Sequence, residues 1–214
     1  MGTRNLTCVV LDGKFRVAQY GQWDGYPEGQ GLTTLKFCRE RLHDSKARDE
    51  FIKKLANTKF ISDEERKVLW ADKAIWAPEE PPDSDAVFVS WDDAKKFDAK
   101  YPSLSRDTGA GILELIWNAA EPVPLQDESE FAIDSLFCEW AWIIDLDVHT
   151  FEAYKGFNKT PVPAGQRFAN LPRKTSRSGG DYYPIKLVRQ WKLSDLPSET
   201  EFLTWGKNLI RDAE

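Results

Sequence analysis

The chain has 214 residues, of which 41% are apolar and 30% are charged, and its formal net charge is −6. This length and composition predict a single globular domain over residues 1–214 and exclude a disordered or fibrous chain. The acidic balance argues against general binding of nucleic acid, or of an anionic membrane, by the whole surface. No apolar run approaches the roughly 18 residues of a membrane-spanning helix, so we expect no membrane partner.

The cysteines indicate a reducing environment. Cys8, Cys38 and Cys138 are odd in number and widely spaced, which fits neither a disulfide framework nor a zinc site. We expect reduced thiols packed as small apolar groups, a cytoplasmic location, and neither a metal nor a cofactor. The first residues also lack the basic and apolar segments of a signal peptide.

A β-hairpin is the first predicted element. Residues 4–11 and 14–20 are rich in strand-forming side chains and are joined by Asp12-Gly13. Asp-Gly between two such runs is typical of a type I′ turn, in which both central residues have positive φ. Both faces of the first strand are largely apolar, which predicts a strand covered on both sides.

A glycine-rich loop, residues 20–31, follows the hairpin and carries Gln22, Trp23, Asp24 and Tyr26. One interpretation is a tight multiple turn in which the aspartate caps its own backbone. The other is a ligand site, since a rigid loop with polar and aromatic groups suits binding. In that case free N–H groups at the start of the next helix hold an anion.

Helices are predicted next, from apolar residues at helical spacing over 32–42, 47–55, 62–76 and 113–117. Ser62, Ser90 and Ser198 each precede acidic residues in the pattern of a helix start. Residues 77–86 are acidic and proline-rich, which predicts a surface loop.

The second half of the chain alternates in the manner of strands. Residues 138–146 place Trp140 and Trp142 on one face together with Cys138, and residues 150–155 pair back as a second hairpin. A last strand is predicted over 185–193, before a C-terminal helix. Local hairpins predict an α+β fold with a mostly antiparallel sheet and helices packed on one or both faces.

A long basic loop, residues 156–180, separates the second hairpin from the last strand. From Lys155 to Lys192 there are nine basic residues and one acidic residue, within a chain of net charge −6. Loops of this length in compact domains are usually functional or mobile. Arg167, Arg173 and Arg177 are therefore candidate ligands for an anion.

Three segments of the chain resemble a known family. The opening Met-Gly-Thr-Arg, the loop from Gln22 to Gly29 and the block over 137–158 are similar to an uncharacterised family of fungal, bacterial and phage proteins. These proteins carry a Gln-aromatic-Asp-Gly-Tyr-Pro-x-Gly loop. The resemblance implies no activity.

A second resemblance concerns Thr3. A Gly-Thr junction at a strand start, followed by a hairpin and helices, resembles the order of elements in N-terminal-nucleophile (Ntn) hydrolases. In that family a threonine exposed by cleavage uses its own amine as base. The chain departs from the pattern because Lys36, the nearest candidate for the catalytic lysine, lies in a predicted helix.

Asp145, Asp147 and His149 alternate and would share one face of an extended strand, but no further metal ligand accompanies them. The favoured interpretation is a binding protein for a small anionic or nucleotide-like molecule rather than an enzyme. Its predicted pocket combines Arg4 and the residues Gln22 to Tyr26, roofed by the basic loop. The alternatives are an amide hydrolase using Thr3 after removal of Met1 and Gly2, and an interaction module for an acidic protein.

Overall fold

The computed structural model describes residues 2–76, 81, 90–175 and 181–211. These residues form an α+β fold with a five-stranded sheet. The helices are α1 (Leu32–Arg41), α2 (Ser45–Leu55), α3 (Asp63–Trp70), α4 (Lys73–Trp76), α5 (Trp91–Lys100), α6 (Ile112–Asn118) and α7 (Glu199–Arg211). The strands are β1 (Asn5–Leu11), β2 (Lys14–Gly21), β3 (Thr58–Phe60), β4 (Val123–Leu125), β5 (Trp140–Asp145), β6 (Thr150–Lys155), β7 (Lys174–Thr175), β8 (Asp181–Tyr182) and β9 (Lys186–Lys192).

The main sheet has the strand order β2-β1-β5-β6-β9. Its pairings are antiparallel except for β1 and β5, which run parallel with Asn5 opposite Trp140 and Val10 opposite Asp145. The predicted α+β fold with a mostly antiparallel sheet is therefore confirmed. The parallel pair places the start of the N-terminal hairpin beside the start of the middle strand.

The predicted first turn is confirmed in its backbone. Asp12 and Gly13 have φ values of 55° and 67°, as a type I′ turn requires. Both of their N–H groups donate to the carboxylate of Asp147, at 2.8 Å each. Asp147 therefore joins the β1–β2 turn to the β5–β6 turn.

The predicted helix starts at Ser62 and Ser90 are also confirmed. The Ser62 and Glu65 side chains form a reciprocal capping box, and the Ser90 hydroxyl accepts from the Asp93 N–H. The segment 62–76 is two helices rather than one. The first, α3, ends at Trp70, and the second, α4, begins at Lys73. Between them the Asp72 carboxylate accepts from the N–H of Ala74 and so caps the start of α4.

The sheet is covered differently on its two faces. One face packs against α1, α2, α6 and α7, with Trp142, Phe151 and Phe202 buried between them. The other face is covered by loops and by a 3-10 turn at Ser129–Ile133, and no α-helix contributes to this cluster in the described residues. Helices therefore pack on one face only.

Two smaller features complete the fold. A separate cluster of Trp70, Trp76, Phe97 and Leu104 holds α3, α4 and α5 together. All three cysteines are free and buried, as predicted, although Cys138 precedes β5 and packs on the loop-covered face, away from Trp140. In the part of the chain that the structure describes, no helix is both long and apolar enough to cross a membrane.

Candidate functional site

The glycine-rich loop is a tightly bonded multiple turn. The side-chain amide of Asn5 donates to the carbonyl oxygens of Gly21 and Trp23, both at 3.2 Å. The N–H of Gly25 donates to the carbonyl oxygen of Thr3 at 2.9 Å. These bonds fix the loop against the start of β1 as a tight multiple turn, but they come from Asn5 and Gly25 rather than from the predicted cap by Asp24.

The N–H groups near Gly31, which the anion-site prediction requires to be free, form backbone hydrogen bonds. Residues Pro27–Gly31 form a π-helical turn that runs into α1. Within it the N–H groups of Gly29 and Gly31 donate to the carbonyl oxygen of Tyr26, and that of Leu32 donates to Gly29. The donors that an anion would need are thus already used by the backbone.

The exposed aromatic side chains of the loop are Trp23 and Tyr26, at 43% and 41% exposure. The indole Nε1 of Trp23 donates to Asp107 at 2.9 Å, and the N–H of Gln22 donates to the carbonyl oxygen of Arg106 at 2.9 Å. Asp24, also exposed, has a φ of 55°. The loop therefore supports the segment that carries Arg106 and Asp107.

Thr3 and Arg4 lie at the start of β1. Thr3 is buried, at 2% exposure, and Arg4 places its guanidinium 4.6 Å from the centroid of the Phe137 ring. Lys36 lies on α1 and pairs with Glu199 of α7 at 3.3 Å on the surface. The lysine that the Ntn resemblance would require at Thr3 is not supplied by Lys36.

Arg167 does not roof the glycine-rich loop, which corrects the predicted pocket. Its guanidinium is 2.5 Å from Asp145 and 3.3 Å from Glu152, two buried carboxylates on the loop-covered face. Arg4 lies near Trp140, the first residue of β5, whereas Asp145 is the last residue of that strand. The two ends are five residues apart, which is roughly 16 Å of strand. Arg167 is an internal partner for two buried acids rather than a free anion ligand.

The other predicted arginines of the basic loop do not join this pocket in the described residues. Arg173 pairs with Asp181 at 2.9 Å, on the β7–β8 pair, and is 48% exposed. Arg177 lies outside the described residues.

Asp145, Asp147 and His149 do not share one face of a strand. β5 ends at Asp145, which binds Arg167, whereas Asp147 binds the β1–β2 turn. His149 lies in the following turn with a φ of 56°. Within the described ranges no group of three or more metal-ligating side chains is close enough to hold a metal ion.

A groove of about 490 Å³ lies beside the segment that the glycine-rich loop supports. Ligand pockets for small molecules commonly have volumes of about 300–1,000 Å³. Its lining comes from α3, α5, the 102–108 segment and the residue after β4: Arg66, Trp91, Ala94, Lys95, Asp98, Leu104, Arg106, Asp107 and Gln126.

Three of the side chains that line the groove are cationic. Arg66, Lys95 and Arg106 form no ion pair with any carboxylate among the described residues. The two acids of the lining are already engaged, because Asp98 accepts from the Ser105 hydroxyl and Asp107 accepts from Trp23. The lining therefore carries a net charge of +1, three cations against two carboxylates, and its cations are free of ion pairs with the carboxylates of the described residues.

An aromatic face accompanies this charge. Trp91 is 56% exposed at the start of α5, and Lys95, one helical turn later, lies 5.6 Å from its ring centroid. A planar ring can stack on an exposed indole, and a cation beside it suits a phosphorylated compound. Trp91 and Lys95 at i and i+4 on one helix are the one signal in the sequence that could have indicated this face.

A smaller recess of about 70 Å³ opens next to the groove and shares Leu104, Arg106 and Gln126 with it. Tyr20 and Glu128 lie in its wall. Burial, together with the neighbouring carboxylate of Asp127, raises the pKa of Glu128, and burial raises the pKa of Tyr20. Arg106 thus stands between a groove of cations and a recess with a half-buried acid.

This chain matches no protein-family model, no curated protein sequence and no solved structure.

Proposed function

We propose that the protein binds a small anionic, nucleotide-like molecule in the groove beside the glycine-rich loop. The observation that carries the proposal is the set of three cations, Arg66, Lys95 and Arg106, around one cavity without carboxylate partners among the described residues. An anion in the groove would gain charge-assisted hydrogen bonds from the two arginines. The exposed face of Trp91 would stack on the planar part of the ligand.

In the groove the ligand would lie away from the residues that the sequence favoured. Gln22 and Trp23 would act by holding the 105–108 segment in place, since their contacts are with Arg106 and Asp107. Arg4 and Arg167 would have no contact with the ligand. Asp24 and Tyr26 lie in the same loop and line neither the groove nor its recess.

The test is a thermal-shift panel of nucleotides, sugar phosphates and inorganic phosphate at low and high salt. A ligand at about 100 times its dissociation constant adds about 2.7 kcal/mol, which raises the melting temperature by several degrees. We expect Arg106→Gln to remove the shift, because it removes one of the cations that would bind the anion. The substitution should leave folding intact, because Arg106 makes no described side-chain hydrogen bond. Lys46→Gln, an exposed residue of α2, changes the net charge equally and should keep the shift.

Trp91→Ala tests the contribution of the planar part of the ligand separately from that of its anionic part. It should weaken nucleotides more than sugar phosphates or inorganic phosphate, because only nucleotides have a base to stack. The proposal fails if no anion shifts the melting curve, or if Arg106→Gln and Lys46→Gln respond alike.

A further inference from the structure

A second surface of basic and aromatic residues lies at the end of the sheet where β1 and β5 begin and β6 ends. We call it the basic-aromatic surface and define it by six residues: Arg4, Phe137, Lys155, Phe157, Lys159 and Tyr182. It shares no residue with the groove.

The backbone brings these residues together from four parts of the chain. The N–H of Glu139 donates to the carbonyl oxygen of Arg4 at 3.1 Å, and Lys155 lies opposite Trp140 in the sheet. Phe137 and Phe157 flank Ser135, whose carbonyl oxygen accepts from the N–H of Phe157 at 2.6 Å.

Two phenyl rings of this surface face solvent. Phe137 is 44% exposed and Phe157 is 50% exposed. Phe157 also has a φ of 54°, a conformation that a bulky residue rarely adopts. Its neighbour Asn158 is buried and donates to the carbonyl oxygen of Pro184 at 2.8 Å. The backbone is therefore anchored on both sides of a ring that is held out into water.

Each cation of this surface lies near an aromatic ring, although the ring beside Lys155, that of Trp140, is buried. Arg4 lies over Phe137 at 4.6 Å, Lys155 over Trp140 at 5.7 Å, and Lys159 over Tyr182 at 5.8 Å. Arg173 over Tyr183, at 5.8 Å, continues the pattern. Arg4, Lys155 and Lys159 form no ion pair within the described part of the chain. The charge stands out because the whole chain carries −6.

The ligand must match both features. Single-stranded nucleic acid supplies phosphates for the cations and unpaired bases that stack on exposed rings. A duplex hides its base faces, and an acidic peptide would contact the cations but leave the two phenyl faces unused. The acidic remainder of the protein would confine such binding to this end of the sheet.

We propose that the basic-aromatic surface binds single-stranded nucleic acid, with bases stacked on Phe137 and Phe157 and phosphates at Arg4, Lys155 and Lys159. This binding is separate from the groove, so either proposal can fail without the other.

Fluorescence anisotropy with labelled oligo-dT and oligo-U tests the proposal. We expect binding that weakens steeply as salt rises from about 50 mM to about 200 mM, because phosphate contacts release counterions. Phe157→Asn removes the ring while keeping a residue that tolerates positive φ, and should lower the affinity at least about fivefold, the loss of one stacked base. Lys159→Gln should reduce the salt slope by roughly 0.7, the value for one phosphate of a single strand.

Controls keep the result specific. Val148→Ala removes an exposed apolar side chain at the opposite end of the sheet, and Lys46→Gln removes an exposed cation of α2; both should bind like the parent. If Phe157→Asn fails to fold, Phe137→Ala gives the same test. The proposal is overturned if neither oligonucleotide binds at low salt, if duplex DNA binds equally well, or if polyglutamate competes fully and the loss of either ring has no effect.

Discussion

The indole Nε1 of Trp142 donates a hydrogen bond at 2.9 Å to the carbonyl oxygen of Gly25. This bond joins the fully buried middle of the sheet to the glycine-rich loop, which lies 117 residues earlier in the chain. The loop is therefore part of the core on one side and support for the groove on the other.

Trp142→Phe should destabilise the protein by about 2–3 kcal/mol, because the buried carbonyl oxygen of Gly25 loses its donor and a cavity remains. Trp23→Phe loses a bond of the same length, to Asp107, but at 43% exposure water replaces it, so we expect less than about 1 kcal/mol. Urea midpoints of the two variants decide the matter. Equal losses would contradict this account of the loop.

Two glycines that precede helices form a matched pair. Gly31 and Gly111 both have right-handed helical backbone angles, so alanine is compatible with either backbone. A Cβ on Gly31 would lie 2.6 Å from the Trp142 ring, whereas on Gly111 its nearest neighbour is 3.8 Å away. We expect Gly31→Ala to cost about 1–3 kcal/mol by overpacking and Gly111→Ala to be neutral or stabilising by up to about 1 kcal/mol. Thermal melts that rank them in the opposite order would contradict the close packing of Gly31.

Arg167→Met should be among the most damaging substitutions of the basic loop. It leaves Asp145 and Glu152 buried without their cation, a loss of about 3–5 kcal/mol. Adding Asp145→Asn should restore part of that loss, because one uncompensated charge is removed. Arg173→Met is the control: Arg173 is exposed, so its loss should lower the free energy of unfolding by less than about 1 kcal/mol. Chemical denaturation of the parent, Arg167→Met, Asp145→Asn and the double variant measures the coupling, and strict additivity would argue against the pair.

Glu128 gives a prediction about pH. Burial and Asp127 raise the pKa of this carboxyl in the folded state, so its protonated form is favoured by folding. The resulting stability is complete below the unfolded pKa of Glu, about 4.3, and is lost as pH rises through the higher folded pKa. Glu128→Gln should therefore be more stable than the parent at neutral pH, with the difference shrinking on acidification. Glu130→Gln, an exposed neighbour, should show no such trend.

The hydrolase alternative has its own test. Gly2 packs so closely that a Cβ there would lie 2.4 Å from the Trp23 ring, and Thr3 is buried behind it. We expect the intact mass of the purified protein to include Gly2. A mass that begins at Thr3 would instead support a free threonine amine and the Ntn chemistry.

Local chemistry made much of the fold predictable. Asp12-Gly13 requires the observed turn, and Ser62 and Ser90 cap the helices that they were expected to cap. The sequence predicted β5 and its hairpin partner β6, but not its second neighbour β1, because the side-chain period of a strand is the same in parallel and antiparallel pairs. The strands β7 and β8, of two residues each, are too short to show a period.

The site was harder to predict than the fold. Arg66, Trp91 and Arg106 are distant in the sequence and meet only through the packing of α3 and α5. The loop misled for a physical reason: its glycines indicate open N–H groups, whereas those of Gly29 and Gly31 close a π-helical turn. Arg167 misled as well, because the sequence does not show that Asp145 and Glu152 are both buried beneath it.

The parallel pairing of β1 with β5 also determines when the protein can fold. β1 is apolar on both faces and has its second neighbour only once β5 exists, while the hydrogen bonds from the β1–β2 turn to Asp147 span about 135 residues. During synthesis the hairpin therefore emerges with one long edge unpaired, and contacts this distant in sequence close slowly. Until β5 arrives, that edge is open to pairing with another molecule.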